Sequence, residues 1–269
     1  MSLITARRRH RAAGYAVLPL GLAVVGVMYA GLTSHSGQAA ASAPSVSDQS
    51  VSQGRYLFEQ SCSSCHGIMA QGNAGVAPSL IGAGAAAVDF QMSTGRMPAK
   101  EVGAENDRKP PVFTQQQIYE IASYISSLGG GPAVPSAQQL SQTGANVGLG
   151  QELFAANCAA CHNFQGAGGA LTYGKYAPAL TASTPAQIYE AMQTGPEAMP
   201  VFNDTTVTPQ EKRDIIAYVT QTRSEPNPGG FSLGRVGPVT EGLVAWLGGI
   251  GLLVLAAMWI TAKRREVHE

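Results

Sequence analysis

The sequence predicts an all-α protein: two tandem helical domains lie outside the cell, and an apolar helix at each end spans the membrane. Long uncharged runs near both termini indicate the membrane helices, and charged residues make up only 13% of the 269 residues, against about 25% in soluble proteins. An internal repeat indicates the tandem domains. Apolar residues recur at helical spacing, and we find no alternating strand pattern of useful length.

The N-terminal run covers residues 15–32, 18 residues without a charge that follow the basic residues Arg7, Arg8, Arg9 and Arg11. Its length is that of a membrane-spanning helix, about 17–25 residues. A cleaved secretory signal has a shorter apolar core and a small-residue cleavage site, and alanines near residue 40 offer one. We favour a retained anchor, and either interpretation exports the chain that follows.

The C-terminal run covers residues 243–262, 20 uncharged and mostly apolar residues, and it ends at Lys263, Arg264 and Arg265. Because basic residues stay on the cytoplasmic side, we expect both termini in the cytoplasm and residues 33–242 outside. That exported part holds 10 basic and 15 acidic residues, a net charge of −5. A mildly acidic surface argues against nucleic-acid binding, which needs basic charge.

Glycine-, proline- and serine-rich stretches divide the exported part. The predicted organisation is a cytoplasmic basic segment (1–14), an anchor (15–32), a tether (33–50), a first domain (51–128), a linker (129–148), a second domain (149–224), a linker (225–242), a membrane helix (243–262) and a cytoplasmic tail (263–269).

The two predicted domains repeat each other in sequence; we call 51–128 the first repeat and 149–224 the second repeat. Gly-x-x-Leu-Phe leads to a cysteine in both, Ala-Pro-x-Leu recurs at an offset of 100, and Thr-Gly precedes Met-Pro in both. Each repeat closes with a predicted amphipathic helix, 115–128 and 209–222. Thr208, Pro209 and Glu211 form a predicted capping box with proline in the first turn.

Each repeat contains Cys-x-x-Cys-His, which is the attachment sequence of c-type haem. Cysteines three residues apart on a helical turn face the same side and can bond the two vinyl groups of one haem. The following histidine can then bind the iron. The sequence therefore predicts two covalently bound haem c groups, with thioether bonds and proximal ligands from these residues: Cys62, Cys65 and His66; Cys158, Cys161 and His162.

Two other uses of Cys-x-x-Cys are a redox pair and half of a zinc site, and the two pairs together could form one four-thiolate zinc centre. Those interpretations leave His66 and His162 without a role, and they do not explain why the Met-Pro and Ala-Pro-x-Leu sequences are repeated.

A second axial ligand on each iron suits an electron carrier, because the coordination then changes little with redox state. Met97 and Met199 are the candidates, since both precede proline and follow a glycine-containing turn. For Met92 and Met192, which are also repeated, we favour core packing. A Met/His pair raises the reduction potential relative to His/His.

Each repeat resembles a class I cytochrome c domain, on the strength of Cys-x-x-Cys-His, Pro-x-Leu, Met-Pro and the closing helix. The resemblance implies that the carbonyl groups of Pro78 and Pro178 accept the N–H of the proximal histidine. It also implies that the first and last helices pack through a glycine and two aromatic residues in each repeat: Gly54, Phe58 and Tyr124; Gly150, Phe154 and Tyr218.

The full-length layout is similar to that of the dihaem cytochrome c subunits of actinobacterial cytochrome bc complexes, which are menaquinol–cytochrome c reductases. That resemblance implies a cytochrome b subunit and a Rieske iron–sulfur subunit as partners. It also implies electron delivery to the copper-A centre of a terminal cytochrome c oxidase within a supercomplex. In such a complex this chain is an electron-transfer subunit, and we find no catalytic acid, base or nucleophile in its sequence.

Two alternatives stay open at this point. The chain could be the membrane-bound cytochrome subunit of a periplasmic dehydrogenase or of a cbb3-type oxidase, which would use the same haem motifs. It could also be a haem-based sensor, although a sensor needs an open or labile sixth position on the iron, which Met97 and Met199 would close.

Overall fold

The computed structural model describes residues 23–24, 47–103, 105–225, 233 and 238–266, and they are mostly helical. Outside 23–24, the helices are, in chain order, α1 (Asp48–Ser61), α2 (Ser63–His66), α3 (Ala85–Ser93), α4 (Gln115–Ser127), α5 (Ala137–Leu140), α6 (Val147–Asn157), α7 (Ala159–His162), α8 (Pro185–Thr194), α9 (Pro209–Ser224) and α10 (Pro238–Glu266). Between α7 and α8 lie two short strands, β1 (Gly169–Ala170) and β2 (Tyr176–Ala177), with a 3₁₀ turn (Thr172–Gly174) between them.

The first repeat is built on the crossing of α1 and α4. The helices touch at Gly54, where an added Cβ atom would lie 1.8 Å from the carbonyl oxygen of Glu120. A glycine is therefore required for this close approach. The rings of Phe58 and Tyr124 pack beside it, with centroids 5.4 Å apart, as the resemblance implied.

The second repeat has the same crossing, between α6 and α9. A Cβ atom added to Gly150 would lie 2.0 Å from the carbonyl oxygen of Asp214, and the rings of Phe154 and Tyr218 have centroids 5.3 Å apart. The predicted glycine and aromatic contacts are thus confirmed in both repeats. Each repeat also has a buried apolar cluster drawn from its own residues.

Capping side chains set where several helices begin. The predicted capping box of α9 is confirmed, because the Thr208 hydroxyl accepts from the Glu211 N–H and the Glu211 carboxylate accepts from the Thr208 N–H. Helix α1 begins at Asp48, inside the stretch predicted to be a tether, because Ser47 forms an equivalent box with Ser50. The predicted linker 129–148 likewise includes α5 and the start of α6.

Helices α3 and α8 pack against each other and join the two repeats. Sequence reasoning did not predict them. Helix α3 is an alanine-rich segment with little contrast between its faces, because α4 covers one side and α8 another. Without an exposed polar face, a helix of nine residues gives no amphipathic pattern.

The prediction of a purely α-helical protein missed one feature of the second repeat. Strands β1 and β2 form an antiparallel pair in which Gly169 lies opposite Ala177 and Ala170 lies opposite Tyr176. Strands of two residues are too short for alternation to be seen in a sequence.

Helix α10 contains a candidate membrane span where the C-terminal run predicted one. Its segment Thr240–Ala262 has 23 residues and is apolar enough to cross a membrane, and at 1.5 Å per residue it is about 35 Å long. Its large apolar side chains are exposed, among them Leu243, Trp246, Leu253 and Trp259. The anchor predicted for 15–32 lies, apart from 23–24, outside the described residues.

Candidate haem sites

In the first repeat, the end of α1 sets up the Cys-x-x-Cys-His geometry. Cys62 terminates α1 and starts α2, and its carbonyl oxygen accepts from the N–H of His66 at 3.0 Å. This single turn places Cys62, Cys65 and His66 on the wall of one cavity. The Cys-x-x-Cys-His spacing therefore brings these three side chains to the wall of one cavity.

The His66 ring is held by the residue that the resemblance implied. Its Nδ1–H donates to the carbonyl oxygen of Pro78 at 2.9 Å, and the ring is buried. A proton on Nδ1 leaves the lone pair of Nε2 free, which is the form of imidazole that binds a metal. The loop that carries Pro78 folds back onto the motif, since Gly72 allows close approach to Ser79.

The second repeat reproduces this arrangement. Cys158 ends α6 and starts α7, and the Nδ1–H of His162 donates to the Pro178 carbonyl oxygen at 2.9 Å. Burial lowers the pKa of His162, and the Pro178 hydrogen bond opposes this shift. The net effect favours the neutral ring that a metal requires.

Met97 lines the same cavity as the first motif, which we call the first cavity. This cavity has a volume of about 1640 Å³, including the space at its mouth. Its walls are largely apolar and come from the first repeat, among them Phe58, Leu80, Val88, Ile121 and Ile125. An apolar cleft with a histidine and two cysteines fits a haem, whose macrocycle is flat and hydrophobic.

Met199 lines the cavity of the second motif, the second cavity, of about 1160 Å³. Its apolar walls include Phe154, Leu180, Ile188, Ile215 and Val219. The donor set again fits a c-type haem: two cysteines, one neutral histidine and one thioether.

The other repeated methionines, Met92 and Met192, also line these cavities, and they are more deeply buried, at 5% and 3% exposed. Both belong to the apolar clusters of their repeats, which agrees with core packing. Met97 and Met199 are only partly buried and pack at the edge of the clusters, where a side chain can turn towards the cavity.

None of the four cysteines is in a disulfide among the described residues, and their positions do not favour the rival interpretations. Burial, with a smaller contribution from the neighbouring cysteine, raises the pKa of Cys62 and that of Cys158 to about 11. A redox pair needs a lowered thiol pKa. The two cysteine pairs line different cavities, which argues against a joint zinc centre with four thiolate ligands.

Sequence reasoning missed a group of charged residues at the second cavity. Arg96, Glu105 and Arg108 belong to the first repeat, yet they line this cavity together with Glu197. Arg96 stands directly before Met97 in the sequence. That position indicated that Arg96 lies near a haem site, but it did not indicate which of the two sites.

Comparison with known proteins assigns the two repeats to a family of domains. Residues 49–125 and 145–219 each match the family model "Cytochrome C oxidase, cbb3-type, subunit III". The two matches cover the two repeats closely, and each includes one Cys-x-x-Cys-His motif.

Curated relatives match nearly the whole chain. Proteins named cytochrome bc1 complex cytochrome c subunit are 41% identical in Corynebacterium diphtheriae, over 97% of this chain and 98% of the relative, and 43% identical in Mycobacterium tuberculosis, over 96% and 93%. The Mycobacterium leprae protein is 48% identical over 78% of this chain and 74% of its own length. With cytochrome c domains and whole-length relatives of this kind, the chain belongs to the family of cytochrome c subunits of the cytochrome bc1 complex.

Proposed function

We propose that this chain is the dihaem electron relay of a respiratory cytochrome bc complex. It takes electrons from the Rieske iron–sulfur subunit and passes them to the copper-A centre of a terminal cytochrome c oxidase during menaquinol oxidation. The observation that carries the proposal is the pair of matching cavities, each with two cysteines, one buried histidine and two methionines on its wall.

Each cavity is proposed to hold one haem c, whose iron supplies a reversible one-electron couple. Cys62, Cys65, Cys158 and Cys161 form the thioether bonds. His66 and Met97 bind one iron, and the histidine is oriented by the Pro78 carbonyl.

His162 and Met199 bind the other iron, and Pro178 has the orienting role. The apolar walls would keep water from a bound haem, and one histidine with one methionine would bind its iron in both redox states. These features suit electron transfer, and they do not suit a sensor that needs an open position.

The contact between α3 and α8 supports transfer between the two haems within one chain. Both cavities belong to the same compact unit. Helix α3 lines the first cavity with Met92 and the second with Phe90, and α8 lines the second with Met192. Two haems in series span a greater distance than one. Electron transfer between two membrane complexes requires such a distance.

The membrane arrangement follows from α10 and the charge pattern. The apolar segment Thr240–Ala262 anchors the haem cavities beside membrane partners, and the basic tail after it stays in the cytoplasm. We place the repeats outside and both termini in the cytoplasm. The relatives are named subunits of the bc1 complex, so the proposed partners are its cytochrome b and Rieske subunits and, in a supercomplex, the oxidase.

The test is gentle purification through an affinity tag on this chain. We expect two covalent haems per chain by the pyridine haemochrome assay, and haem b and haem a bands from co-purified subunits. Replacing Cys62 and Cys65 with serine should leave one haem. In a matched control, Ser63→Ala with Ser64→Ala gives the first motif the spacer residues of the second, and it should keep both haems.

Either of two results would count against the proposal. One covalent haem in the unmodified chain would mean that one cavity is not a haem site. Co-purification of a dehydrogenase, or of a cbb3-type oxidase without cytochrome b, would support the alternative that the domain-level family name suggests. The whole-length relatives favour the bc complex, because their similarity also includes the segments outside the repeats.

A further inference from the structure

The guanidinium group of Arg96 is buried and lies over the Phe90 ring, 5.1 Å from its centroid, but two of its nitrogens lack hydrogen bonds. The residue is 5% exposed, and its Nε and Nη1 atoms have no hydrogen-bond acceptor among the described residues. Its nearest carboxylate contact is Glu197, at 3.7 Å from Nε, which is too long for a hydrogen bond. A guanidinium is always charged, and a buried charge without hydrogen bonds is costly.

This group lies at the wall of the second cavity, together with Arg108. Arg108 donates to the side-chain oxygen of Gln187 at 3.0 Å, and burial, together with the charge of Arg96, lowers the pKa of Arg108. Two guanidinium groups of the first repeat therefore converge on the haem site of the second. Two positive groups at one cavity wall repel each other, and negative charge beside them offsets this repulsion.

A docked segment of the first repeat fixes this arrangement. The backbone N–H of Asn106 donates to the Glu197 carboxylate at 2.8 Å. The hydroxyl of Tyr176 donates to the Asp107 carboxylate at 2.7 Å. These contacts join the two residues before Arg108 to the second repeat, so the position of Arg108 beside the cavity is part of the fold.

A bound haem c brings two carboxylates of its own, the propionates. When Cys158 and Cys161 hold the vinyl edge of the macrocycle, the propionates lie at the opposite edge. The fork of a guanidinium matches a carboxylate in shape and charge. Glu105 and Glu197 also line the cavity, so the arginines must offset both these side chains and the propionates.

We propose that Arg96, with Arg108 beside it, binds the propionates of the haem in the second repeat, so that the first repeat completes the second haem site. This inference rests on the proposed haem binding there. The first cavity has no equivalent contribution from the second repeat: all the described residues that line it belong to the first repeat.

The test is a redox titration of the full chain carrying Arg96→Gln, after haem content has been measured. Loss of a positive charge beside the haem favours Fe(III). We expect the second haem to be about tenfold harder to reduce, which is about 59 mV for one electron, while the first haem is unchanged. Arg96→Lys keeps the charge and should give a smaller shift.

The wave of the first haem is identified from the chain with Cys158→Ser and Cys161→Ser, which keeps only that haem. The matched control is Arg55→Gln, which removes an exposed arginine of the first repeat that pairs with Glu59; neither wave should move. If Arg96→Gln lowers the content of the second haem while Arg96→Lys retains it, the proposal is also supported. If Arg96→Gln prevents haem attachment at both sites, the titration is done with Arg108→Gln instead. For that variant we expect a smaller shift of the same sign.

Three results would overturn the inference: both potentials unchanged with two haems attached, a shift confined to the first haem, or an equal shift in Arg55→Gln. A chain that never carries a second haem would instead contradict the proposed function, and the pyridine haemochrome assay separates that case from the others.

Discussion

The two repeats share a core but differ in how their cavities are completed. The crossings at Gly54 and Gly150, the aromatic pairs and the two histidine–proline hydrogen bonds agree closely. The second cavity, however, is lined in part by residues of the first repeat, whereas the first cavity is lined by its own. The lining of the second cavity therefore includes the first repeat, whereas among the described residues the lining of the first cavity includes none from the second repeat.

Some equivalent buried positions differ in chemistry between the two repeats. By the repeat offsets, Phe90 of α3 corresponds to the buried Glu190 of α8, and Ile118 of α4 corresponds to the buried Lys212 of α9. The repeats thus share the residues of the proposed haem sites, while at these two positions the second repeat has a buried ionisable side chain where the first has an apolar one.

The largest expected effect tests the dependence directly, through Gly54→Ala and Gly150→Ala. Each added methyl group would meet a backbone carbonyl oxygen within about 2 Å, so each should destabilise its own repeat by about 3 kcal/mol or more. Because the second cavity needs the first repeat, Gly54→Ala should disturb both haem spectra, and Gly150→Ala only the second.

Thermal unfolding followed in the Soret band measures both effects. Gly148→Ala is the control, since its added Cβ would make only ordinary contact, 3.4 Å from Asn146. If Gly54→Ala and Gly150→Ala each destabilised only their own repeat, and by the same amount, the repeats would be independent.

The next prediction concerns the axial ligands. Met97→His and Met199→His should each keep a low-spin, six-coordinate haem and lower the potential of that haem alone. Imidazole favours Fe(III) more than a thioether does, and we expect about 0.1 V or more within the span of about 0.8 V that axial ligands cover.

Potentiometric titration, together with the sulfur-to-iron charge-transfer band, measures the change. An unchanged band and potential in either variant would transfer the ligand role to Met92 or Met192, which line the same cavities.

Lys212 offers a smaller test that is specific to the second repeat. Its ammonium group is fully buried, lies 2.6 Å from the Asp204 carboxylate and sits 5.3 Å from the ring centre of Tyr189. Asp204→Asn would leave this charge poorly paired and should cost about 2 kcal/mol, less than for a pair buried on both sides, because Asp204 is half-exposed.

Lys212→Met, an apolar side chain of similar length, should cost under about 1.5 kcal/mol. Thermal unfolding ranks the two variants, and a greater loss in Lys212→Met than in Asp204→Asn would contradict this account.

The last prediction in this series concerns pH and Glu190. Burial, reinforced by the charge of Asp89, raises the pKa of Glu190 to about 10, whereas in the unfolded chain the pKa is about 4.3. The folded state therefore holds a proton that the unfolded state releases, and stability is lost as pH rises between these values. Glu190→Gln does not titrate, so we expect it to be the more stable form at pH 8.

The measurement is the melting temperature at pH 5 and pH 8 for the unmodified chain and for Glu190→Gln. The variant should lose less stability across this interval. Glu152→Gln, at an exposed position of α6, should change nothing, and an equal effect there would remove the special role of the buried carboxyl.

The sequence was informative wherever structure depends on near neighbours or on a strict spacing. Thr208 and Glu211 predicted the start of α9, and the Cys-x-x-Cys-His spacing predicted the turn that places His66 beside Cys62. The sequence could not predict that α3 packs on α8, or that Arg96 of the first repeat lines the second cavity. Both depend on how two folded repeats dock, and no local pattern encodes that contact.

The anchored relay is tested most directly by quinol-driven oxygen consumption in washed membranes that contain this protein. A diffusible carrier depends on charge steering, which salt screens, whereas a tethered relay depends on the high effective concentration that anchoring gives. We predict respiration without added soluble cytochrome c, nearly unchanged from low to physiological salt. Membranes that consume oxygen only after a soluble cytochrome c is supplied would contradict the account.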